Sequence, residues 1–309
     1  MKLDLKVMEC VPNVSEGRDL GKVGELADLL RASPGISLLH VTSDADHNRS
    51  VFTCLGEPRA LLSAATAFCA RAFELIDMRQ HTGCHPRMGA VDVVPFVPLG
   101  GTTMVEAVAV AHELGEAVGA MGVPVYFYEE AALQEERRNL ADVRRGEYEC
   151  LPERANGCGP VPDAGPHDFN PRSGACLIGA RRPLIAFNVN LGTADVTVAQ
   201  TIARTIRESS GGMPAVKALG VELKELGIVQ VSMNLVDYRR TGMHQVLEAI
   251  RREAARFGVP VLESELIGLL PLEAVEDSLR HCLQMREFDS SRIIEAHLLR
   301  SSSSPESSR

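Results

Sequence analysis

Apolar residues recur along the chain at two periods, and the switches between them predict its elements. Val7 to Val11, Ile36 to Val41 and Ser50 to Gly56 read as strands, whereas Val23, Leu26, Leu29 and Leu30 repeat at helical spacing within residues 20–32. Glu57-Pro58 opens a long alanine-rich helix from Arg59 to Ile76, apolar on one broad face. Val91 to Pro98 is a further strand, Met104 to Met121 a helix and Val123 to Tyr128 a strand. This βαββαβ order predicts an α/β (α+β) fold, with helices on one face of an antiparallel or mixed sheet and the other face left to pack or bind.

A second unit begins with the strand Leu184 to Leu191. It continues through a helix from Val196 to Glu208, strands Val216 to Leu219 and Val229 to Leu235, a helix over 242–257, a strand Val259 to Leu262 and a helix from Leu272 to Met285. Strand side chains alternate in direction, so Asn188 and Asn190 share one side. Gln230, Ser232 and Asn234 likewise line one face, opposite Val229, Val231, Met233 and Leu235. Such a face is either an ordinary solvated sheet surface or a surface for a polar heterocycle. The expected division is residues 1–180, residues 181–300 and a serine-rich disordered tail, 301–309.

Three polar loops interrupt the first unit. The first strand ends in Pro12-Asn13-Val14-Ser15-Glu16-Gly17, and Ser43 to Arg49 holds His47, Asn48 and Arg49. The third, His81-Thr82-Gly83-Cys84-His85-Pro86-Arg87-Met88-Gly89, packs two imidazoles, a guanidinium, a proline and two glycines into nine residues. That composition suits neither core nor helix, and predicts a shaped loop from which His85 and Arg87 project. An imidazole near its free pKa moves protons at neutral pH, and a neighbouring arginine holds an anion. The competing reading is a surface turn before a buried strand. Arg137, Arg138, Arg144 and Arg145 read as a solvated helix surface. Residues 154–174 are dense in proline and glycine, so regular structure is not expected. They form either a plain linker or, given His167, Asp168, Phe169, Asn170 and Arg172, a ligand-contacting segment.

Composition narrows the function classes. A chain of 309 residues with 45% hydrophobic content buries a real core and accommodates two domains. A formal charge of -9 argues against nonspecific nucleic-acid binding while admitting a small anionic ligand. No apolar run reaches the roughly 18 residues of a membrane span and the amino terminus lacks a signal-peptide core, so neither membrane nor export is expected and the compartment is the cytoplasm. Asn13-Val14-Ser15 is then no glycosylation site. The eight cysteines, 10, 54, 69, 84, 150, 158, 176 and 282, contain no CxxC pair and match no structural zinc spacing, so most are expected to be buried thiols. Cys84 beside His85 faces the wrong way for a nucleophile and base pair on an extended segment. His81 and His85 share a face only in a helix, which the local sequence disfavours. Cys84→Ser is accordingly expected to cost less than about tenfold in turnover, and a trapped covalent adduct would contradict this.

Several motifs together resemble the glutamate formiminotransferase family. They are Cys10 to Gly17, His47-Asn48-Arg49, His81-Thr82-Gly83 with His85 to Ala90, Gly146 to Glu149, Phe187 to Leu191 and Gln230 to Leu235. The resemblance runs from about residue 7 to 285, and its first and third motifs are highly specific. It implies two ferredoxin-like layered subdomains, a homodimer, and transfer of the formimino group from N-formimino-L-glutamate to the co-substrate tetrahydrofolate in histidine degradation. It also implies that His85 is the catalytic residue and that the folate-contacting segment is Gly165, Pro166, His167, Asp168, Phe169, Asn170, Pro171, Arg172, Ser173 and Gly174. A stand-alone form without a cyclodeaminase domain is expected. Asp168 and Asn170 stand where the animal pattern is more apolar, and Thr42 where that pattern carries an aspartate.

The implied chemistry suits these residues. N5 of tetrahydrofolate attacks an amidine carbon and loses a proton that His85 is placed to accept. One or both of Arg49 and Arg87 are assigned to the glutamyl carboxylates, and Asn13, Ser15, His47, Asn48, His81, Asn188, Asn190, Gln230 and Asn234 to further substrate contacts. No metal or nucleotide is required. The expected pterin position is where the two units meet, with N5 in reach of His85, the rival being a site within the first unit alone. Formyl transfer from N-formylglutamate, hydrolysis of formiminoglutamate, and a folate-free interaction protein are the alternative functions.

Overall fold

The computed structural model describes residues 5–45, 47–83, 85–223 and 226–301, so Cys84 and the tail from 302 onward fall outside it. The described residues divide into two compact units, one up to residue 181 and one from residue 182 onward.

The first unit contains strands β1 (Lys6–Cys10) and β2 (Asn13–Val14), helix α1 (Leu20–Ala32), strands β3 (Ile36–Asp44) and β4 (Arg49–Gly56), helix α2 (Pro58–Leu75) and strand β5 (Val91–Gly100). Helix α3 (Met104–Ala120), strand β6 (Val125–Glu129), short helices α4 (Leu140–Val143) and α5 (Leu151–Ala155) and strand β7 (Cys176–Ala180) complete it. β1 and β2, interrupted by Val11-Pro12, form one line that pairs antiparallel with β4 on one side and β5 on the other, and β3 extends the sheet beyond β4. This is the ferredoxin-like half. β7 then pairs parallel with both β5 and β6, making the sheet mixed.

Local chemistry starts and stops the helices where the pattern placed them. Asp19 caps α1 by accepting from the amides of Gly21 and Lys22, Pro58 occupies the first turn of α2, and Thr103 with Glu106 forms a reciprocal capping box on α3. Leu26, Leu30, Phe68, Ala72, Ala111 and Leu114 of these helices pack on Met8, Phe52, Val94, Phe96, Val125 and Ile178 of the sheet. The opposite face is also covered at the parallel end, where Leu140, Val143 and Leu151 lie against Val93, Tyr126, Tyr128 and Leu177. Helices therefore sit on both faces there. Cys10, Cys54, Cys69 and Cys176 are buried, and burial pushes the Cys54 thiol up to about 12.

The second unit contains β8 (Ile185–Leu191), α6 (Val196–Ile206), β9 (Val216–Leu223), β10 (Ile228–Leu235), α7 (Met243–Arg256), β11 (Val261–Ile267), α8 (Leu272–Cys282) and α9 (Ile294–Ser301). Its sheet has the order β11-β8-β10-β9, again ferredoxin-like, and every pairing is antiparallel, so only the first unit's sheet is mixed. Val189, Leu191, Val229, Val231 and Leu235 face Ala199, Ile202, Val246 and Ile250 of α6 and α7. No described helix is long and apolar enough to cross a membrane.

Candidate active site

The loop between α2 and β5 is anchored at both ends by backbone. Ala90 N donates to Ser173 O, Ala175 N to Met88 O, and Gly89 bridges Gly174. A Cβ on Gly89 would lie 2.4 Å from Ser173 O, and one on Gly174, whose φ is +67°, 2.3 Å from Met88 O. Only glycines allow this approach. Ser15 is buried in the same place, its Oγ donating to Gly89 O at 2.8 Å.

Within this frame the predicted residues fall into three groups. His85 Nδ1–H donates to Pro86 O at 2.6 Å, which leaves Nε2 as the basic nitrogen. Its ring lies edge-on to His47 at 5.9 Å, and His47 Nδ1 is 2.9 Å from Asp44. Burial first, then the charges of Arg49 and Arg144, push the His85 imidazole down to about 3. Its side chain is therefore neutral at physiological pH.

In the second group, His81 Nε2–H donates to Asn48 O at 3.0 Å while its Nδ1 accepts from Arg87 Nε at 3.4 Å. Asn48 accepts from Gly17 N and donates to Thr82 O, pinning the two loops together. Arg87 bonds Glu147 at 3.0 Å and forks onto Glu149 at 2.9 and 2.6 Å. Those carboxylates occupy the guanidinium that the sequence assigned to substrate. A cavity of about 540 Å³ opens here, lined by His81, Thr82, Gly83, Arg87, Gly146, Glu147 and Glu149.

The third group is buried. Arg49 donates through Nε and Nη2 to Asn13 Oδ1 and through Nη1 to Asp92 at 2.5 Å. Arg144 also bonds Asp92, whose other oxygen accepts from Met88 N at 2.9 Å. Burial raises the Asp92 pKa, but Arg144 and Arg49 outweigh it and hold the carboxyl below its usual range. The basic cluster read as a solvated surface thus splits. Arg144 and Arg137 turn inward, Arg137 onto buried Asp163 at 2.5 Å, while Arg138 and Arg145 remain exposed.

Segment 165–174 is held by its own side chains. Asn170 donates to Gly122 O and accepts from the amides of Arg172 and Ser173. Arg172 reaches Phe73 O and Glu74 O, and Tyr148 Oη donates to Pro171 O at 2.6 Å. Phe169 lies 5.5 Å from the Tyr148 ring, and His167 and Asp168 are exposed.

In the second unit, taken by itself, Asn188, Asn190 and Gln230 are buried on one sheet face and Asn234 is exposed. Gln230 donates to Asn190 Oδ1 at 2.8 Å, and Asn190 donates to Glu263 at 3.0 Å. Glu265 accepts from Gln230 at 3.3 Å and from Asn188 at 3.4 Å.

Residues 7–181 match the family model of the formiminotransferase domain, N-terminal subdomain, and residues 186–301 that of the formiminotransferase domain. The chain belongs to the formiminotransferase family. Glutamate formimidoyltransferase of Streptococcus pyogenes serotype M1 is 43% identical over 296 residues, 95% of this chain and 99% of that one. Glutamate formimidoyltransferase of Thermoplasma acidophilum is 43% identical over 294 residues, 94% of this chain and 97% of that one. Formimidoyltransferase-cyclodeaminase of Rattus norvegicus is 41% identical over 280 residues, 88% of this chain and 52% of that one.

Charged residues outside the predicted set that bond its members include Asp92 on Arg49, Glu147 and Glu149 on Arg87, Glu263 on Asn190 and Glu265 on Asn188 and Gln230, and Arg144 joins them through Asp92. One signal for Asp92 was legible. A single carboxylate in the apolar run of β5 requires a cation, because an unpaired buried charge is very costly.

The depressed His85 pKa carries a linkage consequence. The unfolded chain binds a proton at this residue below its ordinary 6.5, whereas the folded protein does not until about 3. Between these values the unfolded state holds more protons, so His85 makes stability rise with pH. The urea midpoint of wild type is expected to fall relative to that of His85→Gln as pH drops from 6.5 toward 4. Parallel curves would contradict a neutral, buried imidazole.

Proposed function

We propose that the chain transfers the formimino group from N-formimino-L-glutamate to N5 of tetrahydrofolate, giving 5-formiminotetrahydrofolate and L-glutamate. The observation that carries this reading is a neutral imidazole with an open Nε2, set among guanidiniums, in a chain alike along both units to glutamate formimidoyltransferases. N5 attacks the amidine carbon and forms the new C–N bond. Its proton passes to His85 Nε2. The C–N bond to glutamate then breaks, and the departing nitrogen takes a proton back from the imidazolium.

Tetrahydrofolate is the co-substrate, and residues Gly165 to Gly174 contact it, with Phe169 and Tyr148 offering an aromatic edge. Asn13, Ser15, His47, Asn48 and His81 shape the site in the first unit. Asn188, Asn190, Gln230 and Asn234 offer amides to the polar substrates. Arg49 and Arg87 orient these groups through their carboxylate partners. The reaction as written uses no metal. The chain works as a homodimer in the cytoplasm, in histidine degradation, without a nucleic-acid or membrane partner.

Glutamate release from formiminoglutamate, assayed with and without tetrahydrofolate, tests the reading. Folate-dependent release is expected. Folate-independent release would make the protein a hydrolase, equal or faster use of N-formylglutamate would make it a formyl transferase, and no release from any donor would end the enzymatic reading. Light scattering at twice the chain mass is the expected result for the dimer.

A further inference from the structure

We propose that Arg49, Asp92 and Arg144 form a carboxylate-selecting triad, in which Asp92 positions both guanidiniums and Arg144 receives a carboxylate of the formimino donor. The inference rests on the transfer reaction proposed above and names the group that recognises its donor.

The charge count comes first. Two guanidiniums converge on one carboxylate oxygen, Asp92 Oδ2, and Asp92 is completely buried while the side chains of Arg49 and Arg144 are 11% and 15% exposed. The triad therefore carries one positive charge beyond neutrality. At this depth an uncompensated cation is costly, and an incoming anion relieves that cost.

The two arginines are not equally occupied. Arg49 spends Nε and both terminal nitrogens on Asn13 and Asp92. Among the described residues Arg144 spends Nη2 alone, and its Nε is buried with no hydrogen-bond partner. A buried N–H without an acceptor is rare in folded proteins, and a ligand oxygen is one way to satisfy it. Nε together with a terminal nitrogen also presents the fork that holds a carboxylate through two parallel bonds. Arg87, the other candidate, already has its nitrogens on Glu147, Glu149 and His81.

Placement agrees. Both Arg49 and Arg144 are close enough to His85 for their charges to act on its imidazole, and Asp92 holds the amide of Met88, three residues further along the same loop. A carboxylate bound by Arg144 would then fix the donor near the proposed proton acceptor. A donor without carboxylates finds no partner for the surplus charge and leaves Nε unpaired.

The test is a split in Michaelis constants. Arg144→Gln is expected to raise the KM for formiminoglutamate by about 30-fold, while the KM for tetrahydrofolate stays within about threefold of wild type. Arg144→Lys keeps the charge but lacks the fork, and is expected to raise the donor KM by about tenfold. An unchanged donor KM in either folded variant overturns the proposal, as does an equal rise for both substrates, which would mean general distortion. Calorimetric titration with L-glutamate keeps the question separate from catalysis. If the wild type shows no transfer, the proposed function fails. Glutamate binding about tenfold weaker in Arg144→Lys would still support the triad, and binding equal to wild type, or absent from wild type, would overturn it.

Discussion

His85→Ala is expected to lower turnover by about 10²- to 10⁴-fold without changing the fold. The imidazole sits in a loop, and its one hydrogen bond among the described residues is to the carbonyl of the next residue, Pro86, which is exposed and meets water readily. Nothing in either core depends on it. What the substitution removes is the Nε2 lone pair, the proton acceptor assigned to the attacking N5. Steady-state rates and thermal melts of both proteins check the two halves of the expectation. A folded variant with wild-type turnover would remove His85 from the mechanism.

The largest effect on stability is expected from Asp92→Asn. Its carboxylate is completely buried and serves Arg49, Arg144 and the amide of Met88 together. An asparagine keeps the shape but strands two partly buried guanidiniums, a loss of about 3–5 kcal/mol. For a unit of this size the melting midpoint should fall by on the order of 10 °C. The contrast is Arg87 with Glu149, whose carboxylate is 62% exposed. Screening by water limits such a pair to about 1 kcal/mol or less. Urea unfolding of wild type, Asp92→Asn and Glu149→Gln should therefore separate the two by several-fold. Equal, small losses would show that solvent reaches the triad far better than its burial indicates.

Much of the fold was legible because its signals are local. The alternation of Gln230, Ser232 and Asn234 with Val229, Val231, Met233 and Leu235 gave strand, facing and core side together, and the apolar core residues of β10 follow it. The proline marked the start of α2 for a similar reason. What escaped depends on distant partners. β7 is only five residues long and takes its place by pairing with β5 and β6, far earlier in the chain. β11 runs through Glu263 and Glu265, which oppose a strand by propensity. They are accepted there because Glu263 meets the amide of Asn190 in β8, and Glu265 those of Asn188 in β8 and Gln230 in β10.

The site divides along the same line. His85, His81 and Arg87 drew attention because three polar functions in one short loop serve no core. Arg144 did not, because in sequence it is one basic residue among four, and only the fold brings it to Asp92. The assignment of Arg87 to substrate likewise overlooked Glu147 and Glu149, sixty and sixty-two residues away in sequence. Sequence spacing gives no measure of such partners.

The distribution of thiols gives the molecule a built-in clock. Cys10, Cys54, Cys69 and Cys176 are sealed in the core of the first unit, whereas Cys158 and Cys282 are exposed. A water-soluble alkylating reagent should consume the exposed pair at once and reach the four buried thiols only when that core opens. The lag between the two waves, read by mass spectrometry, would time the opening of one unit inside the intact chain without any introduced label.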